Sequence, residues 1–206
     1  MKKSRIIMFI GALLLLGLFA VPLWNITLIA PQYPEPLGLN IHINKLSDGI
    51  EFNDVNNIDL LNHYIGMHKL PSEHNIETGD IEPFKEFTYM PIIIVFLSIV
   101  GFIVAFIGRR KLYAGWFFLV SLFGLIGVYD FSAWLQKYGS ELDPNAILKM
   151  TDPNTGEIMA YNPPLFGYKK LLNFEVFSYP SAGAYLIFGA LLLAILAYFV
   201  AKKEVK

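Results

Sequence analysis

The sequence predicts an all-α membrane protein, a four-transmembrane-helix bundle carrying a small mixed α/β cap on its outer, periplasmic side. Three observations lead to that class. Apolar residues make up 55% of the 206-residue chain and charged residues only 16%, well short of the usual quarter, and the mean hydropathy is +0.49. The apolar residues fall into a few long runs. The basic residues gather at the ends of those runs and the acidic ones lie mostly between them.

The first run, Ile6 to Trp24, is free of charge and follows Lys2, Lys3 and Arg5. Its length suits the roughly 30 Å hydrocarbon core. A cleaved leader would need a small-x-small site, and the nearest candidate after the run, Ala30, is followed by Pro31. Residues 1–24 are therefore expected to be an uncleaved first span. Met90–Gly108 and Leu112–Tyr129 read as a helical hairpin within residues 90–130, joined by Arg109-Arg110-Lys111. Ser181–Ala201 reads as a fourth span within 181–206, ahead of Lys202-Lys203. Positive residues stay on the cytoplasmic side, so the expected location is the bacterial inner membrane, multi-pass, with both termini cytoplasmic. Trp24, Tyr89, Tyr129, Trp134 and Tyr179 at the outer ends, and Tyr113 and Trp116 near the inner end, suit interfacial belts. Glycines such as Gly11, Gly101, Gly124 and Gly127 suit close helix approach. No span holds a central charge, and Asp130 lies just beyond the third. Pumps and coupled transporters place ionisable groups within the membrane, so that class is disfavoured.

Two outer segments remain. In residues 25–89, the proline-rich Pro31–Pro36 precedes Leu39–Asn44, whose alternation has the period of a strand. Asp48-Gly49 reads as a hairpin turn with Ile50–Phe52 returning. A helix is expected over Ile58–Ile65, capped by Asn56 or Asn57, burying Leu61 and Ile65, and stopped by Gly66. In residues 131–180, Trp134–Tyr138 extends the third helix. Asp143-Pro144-Asn145 and Asp152-Pro153-Asn154 are turns, the second between hairpin arms at 147–151 and 157–161. Lys169–Phe174 reads as a short amphipathic piece returning to the last span. At 65 and 50 residues neither segment buries a large core alone, so the two are expected to pack together as one cap.

The chain has no cysteine, so disulfides and thiolate chemistry are excluded. It also lacks the phosphate-loop, nucleophile-elbow and His-Glu-x-x-His patterns. No carboxylate pair stands out for acid–base work, and no basic surface suits nucleic acid. No catalytic residue is assigned, and an enzyme is not expected. All four histidines, His42, His63, His68 and His74, lie in the first outer segment. If the helix persists, Asp59, His63 and Met67 share one face at i, i+4 spacing. Imidazole with thioether suits copper, and carboxylate with imidazole also suits zinc. The candidate ligands are His63, Met67, His68, Asp59 and His42, with Met150 and Met159 as further thioethers. The alternative is that these histidines make ordinary interfacial hydrogen bonds and Met67 fills an apolar gap, especially if Gly66 turns Met67 away.

Several strings carry a family resemblance. Ala30-Pro31-Gln32-Tyr33-Pro34 is followed by Leu60-Leu61-Asn62-His63-Tyr64-Ile65-Gly66-Met67. Tyr129-Asp130-Phe131, Leu142-Asp143-Pro144-Asn145-Ala146 and Tyr161-Asn162-Pro163-Pro164-Leu165 lead on to Leu171-Leu172-Asn173-Phe174. Together they resemble small polytopic membrane proteins encoded with nitrous oxide reductase of the second clade. That resemblance implies an accessory or assembly factor for a periplasmic copper enzyme of denitrification, with copper as the implied cofactor. The implied partners are the enzyme or its maturation proteins, beside the lipid bilayer. A non-catalytic anchor or structural subunit that docks a partner is the other reading.

Overall fold

The computed structural model describes residues 2–79, 81–147, 160, 162–171 and 173–204. Among them are six α-helices and one five-stranded antiparallel sheet. The expected all-α, four-span class is therefore corrected to a mixed one. Among the described residues three helices are long and apolar enough to cross a membrane: α4 (Lys85–Ile107), α5 (Arg110–Ser140) and α6 (Ala182–Glu204).

The first apolar run behaves differently from the expectation. Helix α1 covers only Lys3–Leu16, 14 residues, which is about 21 Å at 1.5 Å per residue. One 3-10 turn, Gly17–Phe19, ends it. Trp24, expected inside a span, instead opens strand β1 (Trp24–Ile29). The reason is pairing that no local pattern announces. β1 lies between β2 (Leu37–Ile41) and β5 (Phe174–Pro180), antiparallel to both, with Trp24 opposite Ile41 on one side and Pro180 on the other. The sheet runs β3-β2-β1-β5-β4, where β3 is Leu46–Asp48 and β4 is Gly167–Leu171. The piece expected to be amphipathic before the last helix is thus a β4–β5 hairpin.

The helices bury one another through small side chains. α1 packs on α4 and α6, and α5 packs on α6. Ala190, Ala194, Ala197 and Ala201 line one face of α6 at i, i+3 and i+4 spacing, each at most 4% exposed. Met8, Ala12 and Leu15 of α1 share their core. Gly101 lets α4 approach α1, since a Cβ there would stand 2.7 Å from that of Ala12. The Trp116 indole N–H donates to the Leu97 carbonyl at 2.9 Å, closing α5 onto α4. By contrast Gly124 and Gly127 face nothing within 4 Å, so the expected close helix approach does not occur at these two positions.

The chain termini meet at one end of the bundle. The Ser4 hydroxyl donates to Glu204 at 2.6 Å, and the Arg5 guanidinium donates to the Ile107 carbonyl at 3.2 Å. The sheet occupies the opposite end. There Ser181 N–H donates to the Leu23 carbonyl at 2.9 Å and Gly183 N–H to that of Pro22 at 2.8 Å, tying α6 to the entry of β1. Ile43, at the tip of the β2–β3 hairpin, is fully buried in the helical core. Cap and bundle therefore share packing, not only a covalent link.

Helix α2 spans Asp54–Ile65, one turn longer than expected. Its buried stripe is Val55, Ile58, Leu61 and Ile65. A second core forms where this stripe meets Ile26, Leu39, Phe174 and Val176 of the sheet and Leu135 and Tyr138 of α5. The two outer segments do pack on each other. The short α3 (Glu73–Glu77) follows, with the Ser72 hydroxyl accepting from Asn75 N–H at its start.

Candidate functional site

The outer cap is where the sequence placed chemistry, and α2 with its C-terminal turn is the centre of it. The helix ends as expected at Gly66, whose φ of +80° suits glycine. Gly66 N–H donates to His63 and Met67 N–H to Asn62, at 3.3 and 2.9 Å. A side chain at Gly66 would also collide with the second outer segment, its Cβ standing 2.7 Å from that of Ala146. The Asp143 N–H donates to the Gly66 carbonyl at 2.8 Å. Asp143 opens the first Asp-Pro-Asn turn, accepting from Asn145 N–H through its side chain at 2.7 Å.

This turn disperses the expected ligand set. Asp59 lies on α2, but both its carboxylate oxygens are engaged: one accepts from Leu70 N–H at 2.6 Å and the other from the Asn75 amide at 2.8 Å. It fastens the chain after Gly66 back onto the helix. His63 is exposed on α2, its ring edge-on to Tyr64 at 6.2 Å. Met67, half-buried, packs on the cap core as a filler. His68 is half-exposed, pairing with Glu141 at 3.3 Å, with its ring 5.7 Å from that of Tyr138. His42 sits apart in the β2–β3 hairpin, its Nε2 3.0 Å from the Ser47 hydroxyl. Burial, helped by Lys45, holds its pKa below the ordinary histidine value. Among the described residues no three His, Asp or Glu side chains are grouped to hold a metal ion. Met150, Met159 and most of the expected 147–161 hairpin lie outside the described residues.

Two constellations were not anticipated. An aromatic cluster joins the outer turns of α5 to the start of α4. Trp134 and Tyr138 stack at 4.2 Å, and Phe84 meets both edge-on at 4.8 and 5.8 Å. The Tyr138 hydroxyl donates to the Lys69 carbonyl at 2.7 Å. The i, i+4 spacing of Trp134 and Tyr138 was the available signal. Beside them an apolar pocket of about 90 Å³ is lined by the sheet, α2 and α5.

The second constellation is a turn held by two carboxylates. Asp54 is fully buried, and one of its oxygens accepts from the N–H groups of Gly38, Ile50 and Glu51 at 2.9, 2.9 and 2.8 Å. Asp48 accepts from Asn53 and Val55 at 3.0 and 2.9 Å, doing the work of an N-cap from outside the helix. Asn53 has φ +74°. The expected roles are thus shifted: the β2–β3 hairpin turns at residues 42–45, and Asp48-Gly49 opens this second turn. Gly38 and Gly49 touch so closely that a Cβ on either would fall 2.8 Å or less from the other's backbone. The result is a braced loop that projects Phe52, 93% exposed, and Ile50, 52% exposed, away from the cap.

No protein-family model matches this sequence, and no curated protein matches it.

Proposed function

We propose that this chain is a non-catalytic membrane scaffold whose cap docks a partner on the outer face, in support of the copper enzyme that the family resemblance implies. The observation that carries this reading is the braced turn over residues 49–53. An apolar side chain 93% exposed on a loop fixed by five backbone-to-carboxylate hydrogen bonds has the form of an interface anchor. Aromatic anchors in rigid settings dominate binding energy where they enter a partner's pocket. The packing of Ile43 into the helical core supports a cap held in fixed relation to the bilayer.

In this reading α4, α5 and α6 lie in the inner membrane, with α1 packed on α4 and α6 and leading from the basic end to the sheet, and the cap faces the periplasm. Lys2, Lys3, Arg5, Arg109, Arg110, Lys111, Lys202 and Lys203 then share the cytoplasmic end, as the positive-inside rule asks. The contacts of Ser4 with Glu204 and of Arg5 with Ile107 support that grouping. Co-purification in mild detergent with the copper enzyme or a maturation protein tests the proposal. Partner recovery is expected to fall at least tenfold in the Ile50→Ser, Phe52→Ser double variant, and equal recovery would refute it.

A copper-handling role is the second reading, favoured by His63 and His68 standing exposed around the end of α2. Metal analysis of the purified chain tests it. About one copper per chain, lost on His63→Ala with Met67→Ala, would support that site, and unchanged stoichiometry in the double variant would remove it.

A further inference from the structure

The lipid-facing side of α5 and α6 carries a groove with room of about 300 Å³. Phe117 and Phe118 of α5 and Ile195 and Phe199 of α6 wall it, over Ala114 and Ala194. Its lining is mostly apolar, and Tyr198 stands in its wall near the basic end of the bundle. There the Arg110 guanidinium lies over the Tyr198 ring, 4.9 Å from its centroid. Arg110 is one turn before Ala114 on α5, and Lys202 is one turn after Tyr198 on α6, so both continue the faces that line the groove. Arg109, Lys111 and Lys203 flank them in the sequence, and Arg5 reaches the Ile107 carbonyl nearby. A hydrocarbon slot therefore runs into a cationic mouth.

We propose that this groove is a binding site for an anionic phospholipid, with one acyl chain along Phe118 and Phe199 and the headgroup phosphate at Arg110 and Lys202. Shape and charge both select this occupant. A zwitterionic lipid carries an ammonium that the surrounding basic side chains repel. An apolar peptide would leave Arg110 without an anion. A guanidinium fixed over an aromatic ring keeps donors free at its edge to meet phosphate oxygens. The inference rests on the membrane reading above and goes beyond it in naming a ligand that partner docking does not require.

Native mass spectrometry of the full chain, released from nanodiscs of mixed phosphatidylglycerol and phosphatidylcholine, tests the site. Phosphatidylglycerol is expected to be retained in preference, with a loss of about fivefold in Arg110→Gln, the usual weight of one basic side chain at an anionic surface. Arg110→Lys should keep most of the retention. Ile195→Trp, which fills the groove without changing charge, should lower retention of both lipids. Lys169→Gln with Lys170→Gln on the cap should change nothing. Excess inorganic phosphate should not displace the lipid, and displacement would overturn the lipid assignment in favour of a free anion. Equal retention of both lipids by the unaltered chain would overturn the proposal even if Arg110→Gln does not fold. Equal effects of Arg109→Gln and Arg110→Gln with none from Ile195→Trp would reduce it to diffuse surface charge and overturn the groove. Release of the chain from membranes by alkaline carbonate would instead defeat the membrane reading itself.

Discussion

Replacing Asp54 with alanine should open the turn that presents Phe52. One buried carboxylate oxygen accepts three backbone N–H groups, at 2.9, 2.9 and 2.8 Å. Removing it strands all three donors. The Gly38 N–H lies in a buried bond and the other two in partly buried ones. A buried unpaired donor costs about 1–3 kcal/mol, and donors nearer solvent cost less because water replaces the lost partner. The sum for Asp54→Ala is therefore about 3 kcal/mol of local stability. Opening that costs 3 kcal/mol less is about a hundredfold more populated. Limited proteolysis at residues 49–53, under conditions where cleavage follows the open population, should accelerate by that order. Asp54→Asn should fall between the two, since an amide keeps one acceptor but places an NH₂ where the second oxygen has no partner. A rate within threefold of the unaltered chain for Asp54→Ala would refute the bracing argument.

Other expectations follow from the same contacts. Gly66→Val should destabilise the cap by more than about 2 kcal/mol, because both the φ of +80° and the 2.7 Å approach to Ala146 are lost; thermal unfolding in detergent measures it. Tyr138→Phe removes the hydroxyl bond to Lys69 and should cost about 1 kcal/mol in the same assay. His63→Ala should change stability by less than about 0.5 kcal/mol, since the ring is exposed. His42 has a folded pKa below its unfolded value, so the unfolded chain takes the proton first. Stability from this group is complete above the ordinary histidine value near 6.5 and is lost as pH falls from there through the lower folded pKa. His42→Gln should flatten the acid limb of a stability–pH curve.

The long apolar helices were legible because their composition is itself the signal. The stop at Gly66 was legible too, since glycine after an apolar stripe has few other uses. Strand β1 was not. Trp24–Ile29 follows an apolar run with no break, and its β5 partner lies some 150 positions away, a pairing that periodicity does not encode. The start of α2 was misplaced for a related reason. Asn56 and Asn57 look like caps, yet Asp48 supplies the capping oxygen from a neighbouring strand. Asp59 was expected beside His63 and Met67 on spacing alone, and the hydrogen bonds of its carboxylate were not legible there. The donors to it, Leu70 N–H and the Asn75 amide, sit beyond the turn that Gly66 creates.

The docking of a partner through the 49–53 turn is most directly tested by a photo-cross-linking residue at position 52 in native membranes. One discrete adduct with the copper enzyme or a maturation protein is expected, reduced sharply when Asp54→Ala unbraces the turn. Cross-links to lipid alone, or no adduct at 52, would contradict it.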